Sequence, residues 1–599
     1  MRIPRPKKTF WTRAVSTRAV ALAAAGTLTV GALAACTDGS TSAASDGSGT
    51  TAAAVAATDN SGRTAQDVLA ENLSSDETAA LADQTWDTAD EVAVSLDGDS
   101  ASMSASASGD GVTVDGSTVT ITQPGTYRLS GTLDDGQVVV DSSADGVVRL
   151  VLDGADVTSS TGAAIDVQDA DQVSVVLADG STNRLEDAKE YADTTSDNAA
   201  NAALYSTADL AISGSGALDV VGNANDGITG KDGLVIASGT VTVDAADDAI
   251  RGKDYLVVSG GTIDVTAGGD GLKSDADDDA TAGYVALTGG DVTVEAGSDG
   301  VQGFTDVAIT DGTLTVTGSE EGVEAATIAV SGGDVDVTST DDGLNATVKE
   351  AEDDTATDES TSDTASDDTA TDDTATDDQQ AQPEPPADGE RPTGEPPADG
   401  QAPADGQMPQ GGGGMDAVEE GASLTITGGT LHVDAEGDGL DSNGVTVISG
   451  GDVVVEGPTN GGNGALDSAG GSTVSGGTVL AVGSSGMAEA FDEDSTQGWV
   501  ALTADSTLEA GTEVAVVDAD GTEVATITLS KTAQSVVSTS PEITDGDTYT
   551  LVADGDEVGT ATAGEAPAGG MGGPGGGQGG QPGQDAEGAQ GDPSSTTSS

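Results

Sequence analysis

Three short apolar patterns repeat in a fixed order through the middle of the chain. The first alternates strictly: Val241 and Val243, Ile263 and Val265, Val292 and Val294, Leu314 and Val316, Val335 and Val337, Leu431 and Val433. β-Branched residues at period two, bounded by Gly and Asp, predict strands. The second runs from Leu234 to Gly239, Leu256 to Gly261, Val285 to Gly290, Val307 to Gly312 and Ile328 to Gly333. The third reads acid, small residue, aliphatic, polar residue, small residue. Its clearest copies are Asp226-Gly227-Ile228-Thr229-Gly230, Asp248-Ala249-Ile250-Arg251-Gly252 and Asp270-Gly271-Leu272-Lys273-Ser274, and the lead acids recur every 22 residues. Weaker copies begin at Asp299, Glu321, Asp342, Asp438 and Asn463. A fixed period with three strands and no helical segment predicts an all-β solenoid, a parallel β-helix of about 22 residues per coil. Ile228, Ile250 and Leu272 should then share one interior row.

The rest of the chain divides by composition. Residues 1–36 hold six basic residues and no acid, with an apolar run from Ala19 to Ala35. This reads as a secretory signal. Its end, Leu33-Ala34-Ala35-Cys36, resembles a bacterial lipobox, and Cys36 is the single cysteine. Lipidation there would anchor the chain outside a membrane without spanning it. Residues 37–110 read as a polar tether and an ill-defined N-terminal region, and the β-helix as 111–349. Residues 350–420 interrupt it: 350–378 carry 13 acids and no base, and Pro/Gly-rich sequence follows. Such composition buries no core and predicts a disordered loop extruded from one coil. The repeats resume over 421–490, an antiparallel β cap is expected over 491–561, and a disordered tail over 562–599.

Stacking has an electrostatic consequence. Strands repeat at about 4.8 Å, so Asp226, Asp248 and Asp270 should be neighbours in one corner, with Asp247 beside them. Two unit charges about 5 Å apart repel by about 1 kcal/mol in water and by several at an effective dielectric near 20. The corner therefore either carries loose counterions or coordinates a cation. Oxygen ligands without Cys or His suit Ca2+. Asp275 and Asp299 complete the candidate metal set. Formal net charge is −87, which disfavours nucleic acid as a partner.

Only 12 of the 18 basic residues follow Cys36, and Lys231, Arg251, Lys253 and Lys273 fall within 43 residues. Alternation turns them outward on one face. They either neutralise the acid corner or bind a uronate-rich polymer. Tyr255 and Tyr284 begin adjacent strands and could stack on sugar rings, or simply cover strand ends. His432, the single histidine, reads as a surface residue.

Tyr127-Arg128-Leu129-Ser130-Gly131, Leu150-Val151-Leu152-Asp153-Gly154, Asn201-Ala202-Ala203-Leu204-Tyr205-Ser206 and the three motifs of 225–275 carry a resemblance to a known family. It is the calcium-binding, right-handed parallel β-helix carbohydrate-binding domain of bacterial surface proteins, a cellulose- and pectin-binding module similar to pectate lyases. The resemblance spans roughly 112–560 and departs at the insertion and where the acidic motif decays after 324. It implies calcium and polysaccharide binding without established catalysis. With the lipid expected at Cys36, the chain is expected to be a monomer held at the cell surface. Two other functions compete. A pectate-type lyase would use calcium to acidify a uronate proton and Lys253 or Lys273 to remove it. A structural or adhesion protein of the cell envelope would use neither.

Overall fold

The computed structural model describes residues 64–82, 85–103, 111–194, 198–349 and 418–566, all within one unit, Val55–Ser599. The expected signal segment, Cys36, most of the tether, nearly all of the insertion and the tail lie outside the described residues. The regular structure is almost entirely strand, in two large sheets and one small one.

The alternating valines form strands because each successive side chain turns to the opposite face. Thr240–Ala245 pairs in parallel with the second half of Tyr255–Ala267, which pairs with Tyr284–Ala296, which pairs with Asp306–Gly318. The segments ending in Ser-Gly pair likewise, Gly233–Ile236 with Tyr255–Val258 and onward. The acidic motifs make a third parallel ladder, from Asp226–Gly230 through Ile250–Gly252 and Leu272–Ser274 to Val301–Gly303. The chain thus visits the same three ladders in the same order at each repeat. Ile228 pairs with Ile250 and Ile250 with Leu272, and all three side chains are fully buried. They belong to one core of Val, Leu and Ile that extends from Val94 to Val537.

The corner between the first two ladders depends on glycine. Gly261 has φ +97°, and a Cβ there would stand 2.8 Å from the Gly239 carbonyl oxygen of the preceding repeat. A side chain would clash and strain the backbone at once.

Residues 350–417 do not break the pairing. Leu344–Ala346 pairs directly with Leu440–Ser442, and Thr327–Val330 with Ser423–Ile426. At the far end the parallel pattern stops. Ser472–Gly483 pairs antiparallel with Ala533–Thr539, and a four-stranded antiparallel sheet follows. That sheet has its own core, including Leu502, Val516, Tyr549 and Leu551.

The N-terminal region differs from expectation. Strands begin at Val92, not near 111: Val92–Gly98 pairs in parallel with Gly125–Leu133 and antiparallel with Ser100–Met103. Ahead of it, the expected tether holds two five-residue helices, Ala65–Leu69 and Asp76–Ala80. Helices so short have little stability of their own; these exist because they pack. Ala65 and Val68 bury against Ala308 and Ala329, and Ala79 lies against Tyr255 and Tyr284.

Candidate functional site

Four of the lead acids have the same structural task. The Asp248 carboxylate accepts the backbone N–H of Asp270 at 3.0 Å, and Asp270 accepts that of Asp299 at 3.0 Å. Asp342 accepts from Asp438 at 2.6 Å and Asp438 from Gly464 at 2.5 Å. One oxygen of each carboxylate therefore caps the next repeat. Glycine follows most of these acids because the neighbouring repeat leaves no room: a Cβ on Gly271 would lie 2.3 Å from Val294 Cγ1 and 2.6 Å from the Gly300 carbonyl oxygen.

Burial is deeper than an exposed acidic corner implies. Asp226, Asp248, Asp270 and Asp299 are 1–6% exposed. Such burial costs several kcal/mol per charge unless it is answered. For the first repeats the chain answers it. Lys273 Nζ lies 2.7 Å from Asp270 Oδ2 and 3.1 Å from Asp248 Oδ2. Asp226 accepts from Asn201 Nδ2 and Thr229 Oγ1, both at 2.7 Å. Burial still pushes Asp226 up to about 6. Asp247 is exposed. Asp275 is held by Arg251, whose Nε donates to Oδ1 at 3.1 Å and whose second nitrogen meets Oδ2.

These contacts give four members of the expected metal set partners of their own. Asp248, Asp270 and Asp275 already have cationic partners, and Asp226 has two neutral donors. Lys273 and Arg251 serve as internal counterions, one of the two roles open to them. Asp299 alone of the six stands with two other carboxylates close enough to share one cation.

That group is Asp299, Glu321 and Glu324, whose carboxylate oxygens lie within 4.8 Å of one another. Asp299 and Glu321 occupy successive lead positions, since Gly271 donates to the Asp299 carbonyl and Gly300 to that of Glu321. Glu324 projects outward from the same ladder, two registers beyond Lys273, beside Gln302. Burial, then Asp270 and Glu324, raises the pKa of Asp299. Burial and Glu324 push Glu321 up to about 7. Lys349 Nζ reaches in, pairing with Glu324 and standing 3.9 Å from Asp299 Oδ2. An ammonium thus stands among these oxygens, and the all-oxygen donor set fits calcium. Glu321 and Glu324 were legible only as weaker copies; the signal was the fourth motif position turning acidic.

The acidic motif does not decay after 324. Asp438 and Asp441 are pushed up to about 7 and about 8, and Glu489 to about 7, in each case first by burial and then by neighbouring carboxylates. Among the described residues no lysine or arginine lies within ion-pair distance of Asp438 or Asp441.

Tyr255 and Tyr284 leave the sugar-stacking set. Their rings stack on each other, centroids 5.5 Å apart. Both are buried beneath residues 64–82: Tyr255 Oη bonds Thr78 Oγ1 at 2.7 Å, and Tyr284 Oη donates to the Leu73 carbonyl at 2.7 Å. Lys231 and Lys253 are half-buried and sit in none of the carboxylate pairs just described. His432 is a surface residue but not an idle one. Its Nδ1 lies 3.0 Å from Asp336 and its Nε2 3.7 Å from Glu456, which pushes it up to about 9.

Residues 115–367 match the model of a family described as carbohydrate-binding domain-containing protein. A protein of that description from Acetivibrio thermocellus is 42% identical over 137 residues, 23% of this chain. The chain spans about half, 48%, of that relative. A solved structure described as the polysaccharide lyase-like protein from C. thermocellum, in a gadolinium derivative, is 34% identical. It covers 41% of this chain and 94% of its own, with a TM-score of 0.35. These comparisons support a carbohydrate-binding family for the β-stranded region they span.

Proposed function

We propose that this chain is a cell-surface lipoprotein, anchored through Cys36, that binds polysaccharide with the help of calcium. Its three ladders wind as a right-handed parallel β-helix, and the acidic motif lines one corner of it. The observation that carries the reading is the Asp299–Glu321–Glu324 group, three carboxylates gathered within 4.8 Å in a stretch that matches carbohydrate-binding domains. Calcium bound there would neutralise the group and keep coordination positions for hydroxyl or carboxylate oxygens of a glycan. A uronate-rich or cellulose-like polymer is the expected partner, and the chain would act as a monomer.

The lyase alternative loses one of its two bases. Lys273 must shed a proton to abstract one, yet Asp270 and Asp248 hold its ammonium and raise its pKa. A polysaccharide panel, probed with the full chain in calcium and again in chelator, tests the binding reading. Calcium-dependent retention of a polyuronate or a glucan supports it; no retention of any polymer in either condition rejects it.

A further inference from the structure

Lys231 and Lys253 are two half-buried bases that stand on successive repeats. There are 105 acids and 18 bases, so a lysine without a carboxylate needs a reason. Arg128, Arg184, Arg251, Lys273, Lys349 and Lys531 each hold a carboxylate within ion-pair distance. Among the described residues Lys231 and Lys253 hold none, and neither does the exposed Lys189.

The two are adjacent by construction of the ladder. Gly230 pairs with Gly252, so the residues that follow them, Lys231 and Lys253, occupy the same place on successive repeats. Lys231 N donates to the Ser206 carbonyl at 2.8 Å, and Lys253 N to that of Gly230 at 2.9 Å. Their backbones are therefore about 4.8 Å apart. The next place in the column is Asp275, which Arg251 already engages. The ammonium groups of two half-buried lysines on successive repeats repel each other. The nearby bases show in Lys231, whose pKa is lowered first by burial and then by Arg251 and Lys253, against the opposing pull of Asp275 and Asp226. One place further on stands Phe304, partly exposed, since Ser274 pairs with Gly303.

We propose that Lys231 and Lys253 form a metal-free seat for one anionic group of the bound polysaccharide, a carboxylate in a uronate unit. Two ammonium groups at this spacing can share the two oxygens of one carboxylate through charge-assisted hydrogen bonds. Phe304, about 10 Å along the column from Lys253, gives an apolar surface to a sugar ring further down the same chain. This inference rests on the polysaccharide-binding reading but not on its calcium. The glycan would be held in two ways: directly at Lys231 and Lys253, and through the cation at Asp299, Glu321 and Glu324.

The test is calorimetric titration of the full chain with a short oligouronate in EDTA. The expected result is binding that weakens at high salt and falls at least about tenfold when the oligomer is methyl-esterified. Lys231→Ala with Lys253→Ala should weaken it about tenfold or more, about 1.4 kcal/mol. Lys231→Arg with Lys253→Arg should keep it within about threefold, which separates charge from folding. Unchanged binding by the double alanine variant overturns the seat. So does inorganic phosphate competing as well as the oligouronate, because the position would then take a free anion. Loss of this binding from the wild type, with calcium-dependent retention of polysaccharide intact, overturns the seat alone. No polysaccharide binding with or without calcium overturns both readings.

Discussion

Two columns of the same sheet system treat acids in opposite ways. On the exposed face of the alternating strands, one outward column runs Thr240, Thr262, Asp291, Thr313, Asp334, Thr430, Asp452, Thr478. No acid there is next to another acid. In the corner, Asp226, Asp248, Asp270, Asp299, Glu321, Asp342 and Asp438 follow one another without a break. Both columns have the strand spacing of about 4.8 Å. Like charges directly opposite are destabilising, and this column avoids them by interposing threonine. Where charged residues do meet on the face, a partner answers them: Asp336 faces His432, and the paired acids Asp434 and Glu456 lie beside Lys531 and His432. The corner stacks its acids, buries them, and must answer them. It does so with backbone N–H groups at Asp248, Asp270, Asp342 and Asp438, with side-chain amides and a hydroxyl at Asp226, Asp299 and Glu321, with Lys273 in the early repeats and with Lys349 in the middle. Stacking that costs stability and is not needed for solubility implies a task that dispersed acids cannot perform.

The largest effect that would sharpen this comparison is removal of an internal counterion. Lys273→Met leaves Asp248 and Asp270 buried without a cation, and should cost about 3–5 kcal/mol in chemical denaturation. Asp264→Asn, on the exposed face, should change stability by no more than about 0.5 kcal/mol. Equal effects would mean that the corner is no different from the face.

A smaller effect comes from pH. Asp438, Asp441 and Glu489 are raised to about 7, 8 and 7. Folded, they keep their protons to higher pH than in the unfolded chain. Between about pH 4 and pH 8 the folded state therefore binds more protons, and stability falls as pH rises. His432, raised to about 9, adds stability below about pH 6.5 that is lost toward pH 9. Melting in chelator should thus move to lower temperature from pH 5 to pH 8. Asp441→Asn should flatten that slope, and an unchanged slope would remove Asp441 from the account.

The repeat was legible because burial imposed it. Ile228, Ile250 and Leu272 had to recur at the coil length to share an interior row, and the same period carried across residues 350–417 to Leu440. The covering segment was not legible, because Ala65–Leu69 and Asp76–Ala80 take their shape from the surface they cover. Without them, Tyr255 and Tyr284 read as open rings. The corner was legible as a column but not as chemistry. Which carboxylate Lys273 reaches depends on side-chain direction, not on spacing, and Lys349 lies far from Glu324 in sequence. Val92–Gly98 escaped because one short strand offers no period to detect.

The most direct test of the central claim is the melting temperature of the full chain at pH 7.5 in calcium and in chelator, for the wild type and for Glu321→Gln with Glu324→Gln. A cation that binds only the folded state should stabilise the wild type by about 2.7 kcal/mol at a hundredfold excess over its dissociation constant. Magnesium should do less, because it demands stricter geometry. The double variant should lose that calcium response, while Asp248→Asn, at a carboxylate already held by Lys273, should keep it. A wild-type melting temperature that does not move with chelator, or a double variant that responds to calcium as the wild type does, would contradict the account.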